Sequence, residues 1–239
     1  MDKIVIIPTY NEKENIEKII RKVFSLAGNY HILIVDDGSP DGTATIVKKL
    51  QEEFPVQLHI VERKGKSGLG TAYIFGFKWA LNNGYKYIFE MDADFSHNPE
   101  DLERLYAACV NGADVAIGSR YVRGGKVRNW PWDRILISKG GAFYTKLITW
   151  MPVEDPTAGF VCYKREVLES IPLDSVQFIG YAFQIEMKYR AWKLGFKIKE
   201  VPITFIDRVE GASKMTKGIV KEAMYGVWKM KKFDKQRSR

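Results

Sequence analysis

Residues 31–43, HILIVDDGSPDGT, decide the fold. An apolar run ends in two adjacent carboxylates, Asp36 and Asp37, and passes through a Gly-Ser-Pro-Asp-Gly turn into a helical pattern opening near Asp41. A strand buried on both faces reads as a continuous apolar run, so this stretch predicts a parallel-sheet strand feeding a helix. Similar runs, rich in β-branched residues, recur at residues 3–8, 57–62, 85–91 and 114–118. Between them Ile16, Ile19, Ile20, Val23, Phe24 and Ala27 share one helix face, closed by Gly28. A third helix spans residues 67–82, and a fourth takes Asn98 as N-cap with Pro99 at its first position. The alternation predicts an α/β fold, a doubly wound and mostly parallel sheet flanked by helices, with ligands at the carboxyl ends of the strands.

Beyond Arg120 the pattern loosens into a Gly- and Trp-containing stretch, residues 124–132. A helix is expected over 134–150, a short strand over 160–163, a helix over 181–194 and a strand pair over 196–205. Residues 207–215 read as a mobile loop. The last helix, 217–231, sets Ile219, Val220, Ala223, Met224, Val227, Trp228 and Met230 against lysines on its other side. No linker separates domains, so residues 1–215 read as one unit and 216–239 as a basic amphipathic appendage.

Composition bounds the function. A chain of 239 residues, 46% hydrophobic and 28% charged, builds a core without disulfides or structural metal. Its two cysteines, Cys109 and Cys162, fit reduced core thiols of a cytosolic protein. The apolar start, residues 4–7, is too short for a signal sequence, and the longest apolar window, 135–153, is broken by Lys139 and Lys146. The net charge is +8, with eight basic and two acidic residues in 216–239, so attraction to polyanions is expected through the tail. A near-neutral body argues against a nucleic-acid-binding module.

Two glycine motifs lead nowhere. Gly65-Lys66-Ser67 ends like a phosphate loop, but its required upstream glycine is Ile60. Gly68 and Gly70 begin a dinucleotide fingerprint whose next glycine is Tyr73. The informative residues are acids. Asp92 and Asp94 flank Ala93 at the end of the fourth strand, where strand geometry points both carboxylates to one side. Hard divalent ions want such oxygens, with substrate phosphates completing the shell, so the pair proposes a metal-bound nucleoside diphosphate. The competing reading makes Asp94 or Ser96 a helix cap, and an Asx turn equally explains Asp36-Asp37. Coincidence favours a site: residues 8–12, 36–37 and 92–94 end strands one, two and four, which the sheet brings to one rim. Tyr10 there is suited to holding a base and ribose.

The motifs PTYNE (8–12), VDDGSPDGT (35–43), MDADFSHNP (91–99) and GSRY (118–121) resemble those of the family 2 GT-A glycosyltransferases. Among these the chain is most similar to the dolichol- and polyprenol-phosphate mannosyltransferases, a likeness continuing through residues 155–160, 183–187 and 201–214. The resemblance implies a GT-A, Rossmann-like sheet and inverting transfer of mannose from GDP-mannose to a polyprenyl or dolichyl monophosphate. A UDP-glucose donor is the alternative. It implies that Pro8, Tyr10, Glu12, Val35 and Asp37 hold the nucleoside, and that Asp92, Ala93 and Asp94 hold the diphosphate and a Mg²⁺ or Mn²⁺ ion. The third metal position, Gln in relatives, is here Ser96, a shorter and weaker ligand. Arg120, Arg134 and Ser138 fall at acceptor-phosphate positions, and Arg208 and Lys214 in a loop closing over the donor. An acceptor phosphate with a second pKa near 6 is already a nucleophile and requires neutralisation rather than a general base. A lipid acceptor implies a peripheral protein on the cytoplasmic face of a membrane, its tail on anionic lipid, with room for a separate membrane subunit as partner; the competing reading packs residues 219–230 on the body with their charges merely solvated.

Overall fold

The computed structural model describes residues 2–207 and 226–230. In chain order the strands are β1 (Lys3–Thr9), β2 (His31–Asp36), β3 (Leu58–Glu62), β4 (Tyr87–Glu90), β5 (Val115–Ser119), β6 (Lys126–Arg128), β7 (Val161–Lys164), β8 (Ile198–Pro202) and β9 (Thr204–Ile206). The helices are α1 (Ile16–Phe24), α2 (Thr43–Glu53), α3 (Leu69–Asn82), α4 (Asp101–Val110), α5 (Trp132–Thr149), α6 (Arg165–Ser170) and α7 (Tyr181–Lys193). Among the described residues the central sheet has seven strands, ordered β3-β2-β1-β4-β7-β5-β8.

Successive residues of β1 point to opposite faces, and both faces are covered. Ile4 and Ile6 pack with Leu33, Val35, Tyr73, Phe77 and Phe183 on the side of α3 and α7. Val5 and Ile7 pack with Ile16, Ile20, Ile32, Ile34 and Leu102 on the side of α1, α2 and α4. Double coverage is why these strands carry no polar alternation. Truncating Ile6 or Ile34 to Ala would cost about 2–5 kcal/mol.

Several expectations change in detail. The strand at 160–163 forms as β7, but it runs antiparallel between β4 and β5. The expected strand pair at 196–205 is two strands that do not pair with each other: β8 adds to β5, while β9 pairs with β6 in a separate two-stranded ribbon. Helix α1 ends at Phe24, short of Ala27, and the Ser25 hydroxyl satisfies the Lys22 carbonyl of its last turn at 2.7 Å. Asn29, at φ 49°, takes the left-handed turn expected of Gly28. Gly28 is needed for space instead, since a Cβ there would meet the buried Tyr30 ring at 2.4 Å. Helix α4 begins at Asp101, because Asn98 is spent on a turn whose side chain accepts from the Glu100 amide at 3.2 Å.

Cys109 and Cys162 are buried free thiols, as expected. Of the last expected helix, residues 226–230 are described and helical. Val227 and Met230 pack into the core, so they are not available to a membrane, whereas Trp228 is exposed. No helix among the described residues is long and apolar enough to cross a membrane.

Candidate active site

The parallel register brings β2, β1 and β4 side by side, with Thr9 opposite Asp36. Their carboxyl ends open on a cavity of about 490 Å³. Pro8, Tyr10, Glu12, Asp37, Asp92, Ala93, Asp94, Ser96, Arg120, Arg134 and Ser138 all line it. Val35 does not line it and is fully buried in the core on the α3 side. Arg208 and Lys214 lie outside the described residues.

The two carboxylates of β2 divide their work. Asp36 is buried, accepting from Thr9 Oγ1 at 2.8 Å, the Ser39 amide at 2.8 Å and Ser39 Oγ at 2.6 Å, so it ties the turn together. This is the Asx turn that the local sequence allows. Asp37 instead faces the cavity, held by Arg63, whose Nε and Nη2 both approach Oδ1 at 2.6 Å. The Nη1 of Arg63 donates to Thr71 Oγ1 at 2.9 Å, anchoring the pair to α3. Across the mouth, the Lys66 ammonium sits 5.1 Å from the centre of the Tyr10 ring.

Strand β4 ends at Glu90, so Asp92 and Asp94 stand in the turn beyond it, and the strand alternation expected to align them does not apply. Another device does. Asp94 Oδ1 accepts from the Ser96 amide at 3.0 Å, and Phe95 adopts φ 59°, which folds the loop so that both carboxylates line the cavity. Asp94 does not cap α4, which starts seven residues later, at Asp101. The Ser96 carbonyl accepts from the Ile206 amide at 3.2 Å, fastening β9 to the acidic loop. Neighbouring His97 is buried against Phe160 and Phe205, and burial pulls its imidazole down to about 4. Beneath the acids, Gln184 donates to Glu90 Oε2 at 2.6 Å and accepts from Lys188 Nζ at 2.9 Å. Burial drives this carboxyl up and this ammonium down, both toward their neutral forms.

The cationic groups have their own supports. Arg120 follows β5 and meets buried Asp155 twice, Nε to Oδ2 at 2.7 Å and Nη2 to Oδ1 at 2.6 Å. Its backbone amide also donates to Asp155 Oδ2 at 2.9 Å, and its guanidinium lies 5.5 Å from the Trp130 ring centre. Arg134, on α5, pairs with Asp207 at 2.9 Å and lies 4.1 Å over Trp130. Its Nε is buried with no hydrogen-bond partner among the described residues. One turn along α5, Ser138 Oγ accepts from the Tyr121 hydroxyl at 2.6 Å. Arg63, Lys66, Trp130, Asp155 and Asp207 were not singled out from sequence. The first two follow β3 at the same rim, a signal that was present; the others lie 35 and 73 positions from the arginines they hold or come from an irregular loop.

A doubly wound, mostly parallel sheet with acids at its carboxyl rim is the architecture of the GT-A glycosyltransferases, and here those acids share a cavity with arginines. The chain belongs to glycosyl transferase family 2, whose model matches residues 4–171. It is 50% identical over 94% of its length to the polyprenol monophosphomannose synthase of Mycolicibacterium smegmatis, covering 84% of that protein. It is 45% identical to the undecaprenyl-phosphate mannosyltransferase of Micrococcus luteus, covering 95% of this chain and 93% of that one. The dolichol-phosphate mannosyltransferase of Pyrococcus furiosus is 39% identical over 96% of this chain and 64% of its own. Among solved structures, a mannosyltransferase from Pyrobaculum calidifontis in complex with GDP-Man and Mn2+ shares the fold, with a TM-score of 0.59 at 16% identity over 95% of this chain and 69% of that one.

Proposed function

We propose that this glycosyltransferase moves mannose from GDP-mannose to a polyprenyl monophosphate, with inversion at the anomeric carbon, at the cytoplasmic face of a membrane. One observation carries the reading: acids suited to a metal-bound diphosphate and arginines suited to a phosphate monoester line the same cavity. The names of the relatives at 50% and 45% identity support the choice of sugar and acceptor.

The donor set fits a hard divalent cation. Asp92 and Asp94 offer carboxylate oxygens, and Ser96 a hydroxyl, in a loop already folded by the Asp94–Ser96 bond. An ion held by these few oxygens would complete its shell with substrate phosphate and water. Mg²⁺ or Mn²⁺ bound there would stabilise the charge of the departing diphosphate. Tyr10, with Lys66 over its ring, and Asp37, fixed by Arg63, would receive the nucleoside. Arg120 and Arg134 would neutralise the acceptor phosphate, and the Ser138 hydroxyl would orient one of its oxygens. Ionised near pH 7, that phosphate oxygen attacks without a base. Arg208 and Lys214 are proposed to add charge over the leaving diphosphate, and the basic residues of 217–239 to attract anionic lipid.

Incubating the protein with GDP-mannose or UDP-glucose, a phosphoprenol and Mg²⁺ or Mn²⁺ tests the reading, with NMR of the lipid product. Mannosyl phosphate of β configuration from the α-linked donor is expected. A retained configuration refutes the single displacement, and glucose transfer in its place refutes the donor.

A further inference from the structure

Lys188, on α7, is fully buried and does not line the cavity, so the proposed reaction leaves it without a task. Its ammonium has three N–H groups, and each donates: to the Ala158 carbonyl at 2.7 Å, the Gln184 carbonyl at 3.1 Å and Gln184 Oε1 at 2.9 Å. These partners are amide oxygens rather than carboxylates. An apolar side chain would fill the same space without stripping an ammonium of water, so packing alone does not account for a lysine here.

Its bonds lead to both halves of the site. Ala158 belongs to the segment 155–159 that carries the acceptor arginine: Asp155 takes two bonds from the Arg120 guanidinium, and Thr157 Oγ1 accepts from Arg120 Nη2 at 2.9 Å. Glu200 of β8 pins the start of that segment, accepting from the Glu154 and Asp155 amides at 2.8 and 3.0 Å. Lys188 pins its far end. On the other side Gln184 Nε2 donates to Glu90 Oε2 at 2.6 Å, and Glu90 ends β4 two residues before Asp92. Thr157, Ala158, Gly159 and Gln184 all form cavity wall. We propose that Lys188 is a positioning residue for sugar transfer, one that sets the separation between the acceptor arginine and the donor acids. The inference rests on the two-substrate reading above and names the residue that brings its halves into register. Reacting atoms must meet at about 3–3.5 Å, and a misplacement of about 1 Å costs about 100-fold in rate. Apolar packing between helix and sheet is non-directional, whereas hydrogen bonds from a charged donor fix both distance and direction and are about twice as strong as neutral ones.

The test uses the full-length protein carrying Lys188→Met, which nearly keeps the side chain's length and removes its charge. With GDP-mannose, a phosphoprenol and Mn²⁺, kcat is expected to fall about 100-fold. Donor affinity by titration calorimetry and acceptor KM should stay within about threefold, because each half keeps its own contacts and only their register is lost. Amide hydrogen exchange at residues 156–159 should quicken about tenfold or more, with β2 unchanged. Melting should fall too, since Glu90 loses its nearby cation; adding Glu90→Gln removes that carboxylate and is expected to restore melting while kcat stays low and exchange stays fast. Recovery of kcat together with melting in the double variant assigns Lys188 to stability alone and overturns the inference. So does undiminished kcat in the single variant, a joint loss of donor and acceptor binding, or failure of both variants to fold. A wild type inactive toward every acceptor, with exchange at 156–159 quickened in the variants as expected, refutes the reaction and leaves the brace between the two walls standing.

Discussion

Replacing Asp155 with Asn probes how the acceptor site is held. Asp155 is fully buried and the side chain of Arg120 is nearly so, joined by two side-chain bonds and a third from the Arg120 amide. The substitution keeps the shape, removes the charge and turns an amide N–H₂ toward a guanidinium. Breaking a buried pair from one side costs about 3–5 kcal/mol, and the isosteric change belongs at the lower end. For a chain of this size about 3 kcal/mol lowers the melting temperature by about 6–12 °C. Arg120 would also lose its fixed orientation, and misplacing a positioning group costs about 100-fold, so kcat/KM for the phosphoprenol should fall by that order. Donor affinity should stay within about twofold, since Asp155 does not line the cavity. Circular dichroism melting and transfer of radiolabelled mannose at varied acceptor concentration measure both effects. The double variant Arg120→Met, Asp155→Leu should recover melting but not transfer, because an apolar pair replaces a buried ion pair at little cost. Wild-type melting together with wild-type acceptor kinetics in Asp155→Asn would refute the reasoning.

Arg63→Met should strand the Asp37 carboxylate and weaken GDP-mannose binding by about tenfold, read by titration calorimetry, with acceptor KM unchanged. His97 is held neutral, its ordinary value of 6.5 lowered to about 4 by burial, so the unfolded chain binds a proton that the folded one refuses. Its contribution is therefore complete above pH 6.5 and lost as pH falls toward 4, about 3 kcal/mol in all. Urea unfolding with chelator present should show this loss, and His97→Phe should flatten it. Gly125→Ala would set a Cβ 2.7 Å from the Arg120 carbonyl carbon and the Ser119 oxygen, so melting should fall and transfer with it; an unchanged melting curve would show that the loop yields freely.

The sheet was legible because its strands are buried on both faces. Continuous runs such as residues 3–8 and 31–36 have few other readings, and Glu12 and Asp37, just beyond them, line one cavity. What sequence could not reveal was pairing between distant segments. Nothing local distinguishes the antiparallel β7 from its neighbours, because direction is set by which loops cross the sheet. Strand β6, with exposed Lys126 and Arg128 around Val127, has too little apolar signal to be seen. The adjacent Asp36 and Asp37 are indistinguishable in sequence, yet one closes a turn and the other opens to the cavity, a difference decided by Thr9 and Arg63. The apolar content of residues 135–153 was visible, but which side of the helix faced out depended on the cavity behind it.

The central claim is that Asp92 and Asp94 hold a donor diphosphate through a divalent ion. Titrating GDP-mannose into wild type, Asp94→Ala and Asp92→Ala, with and without Mn²⁺, tests it most directly. Binding should require the ion in the wild type and weaken by about 100-fold in each variant with the fold intact. Ion-independent binding of equal strength in all three proteins would contradict the account.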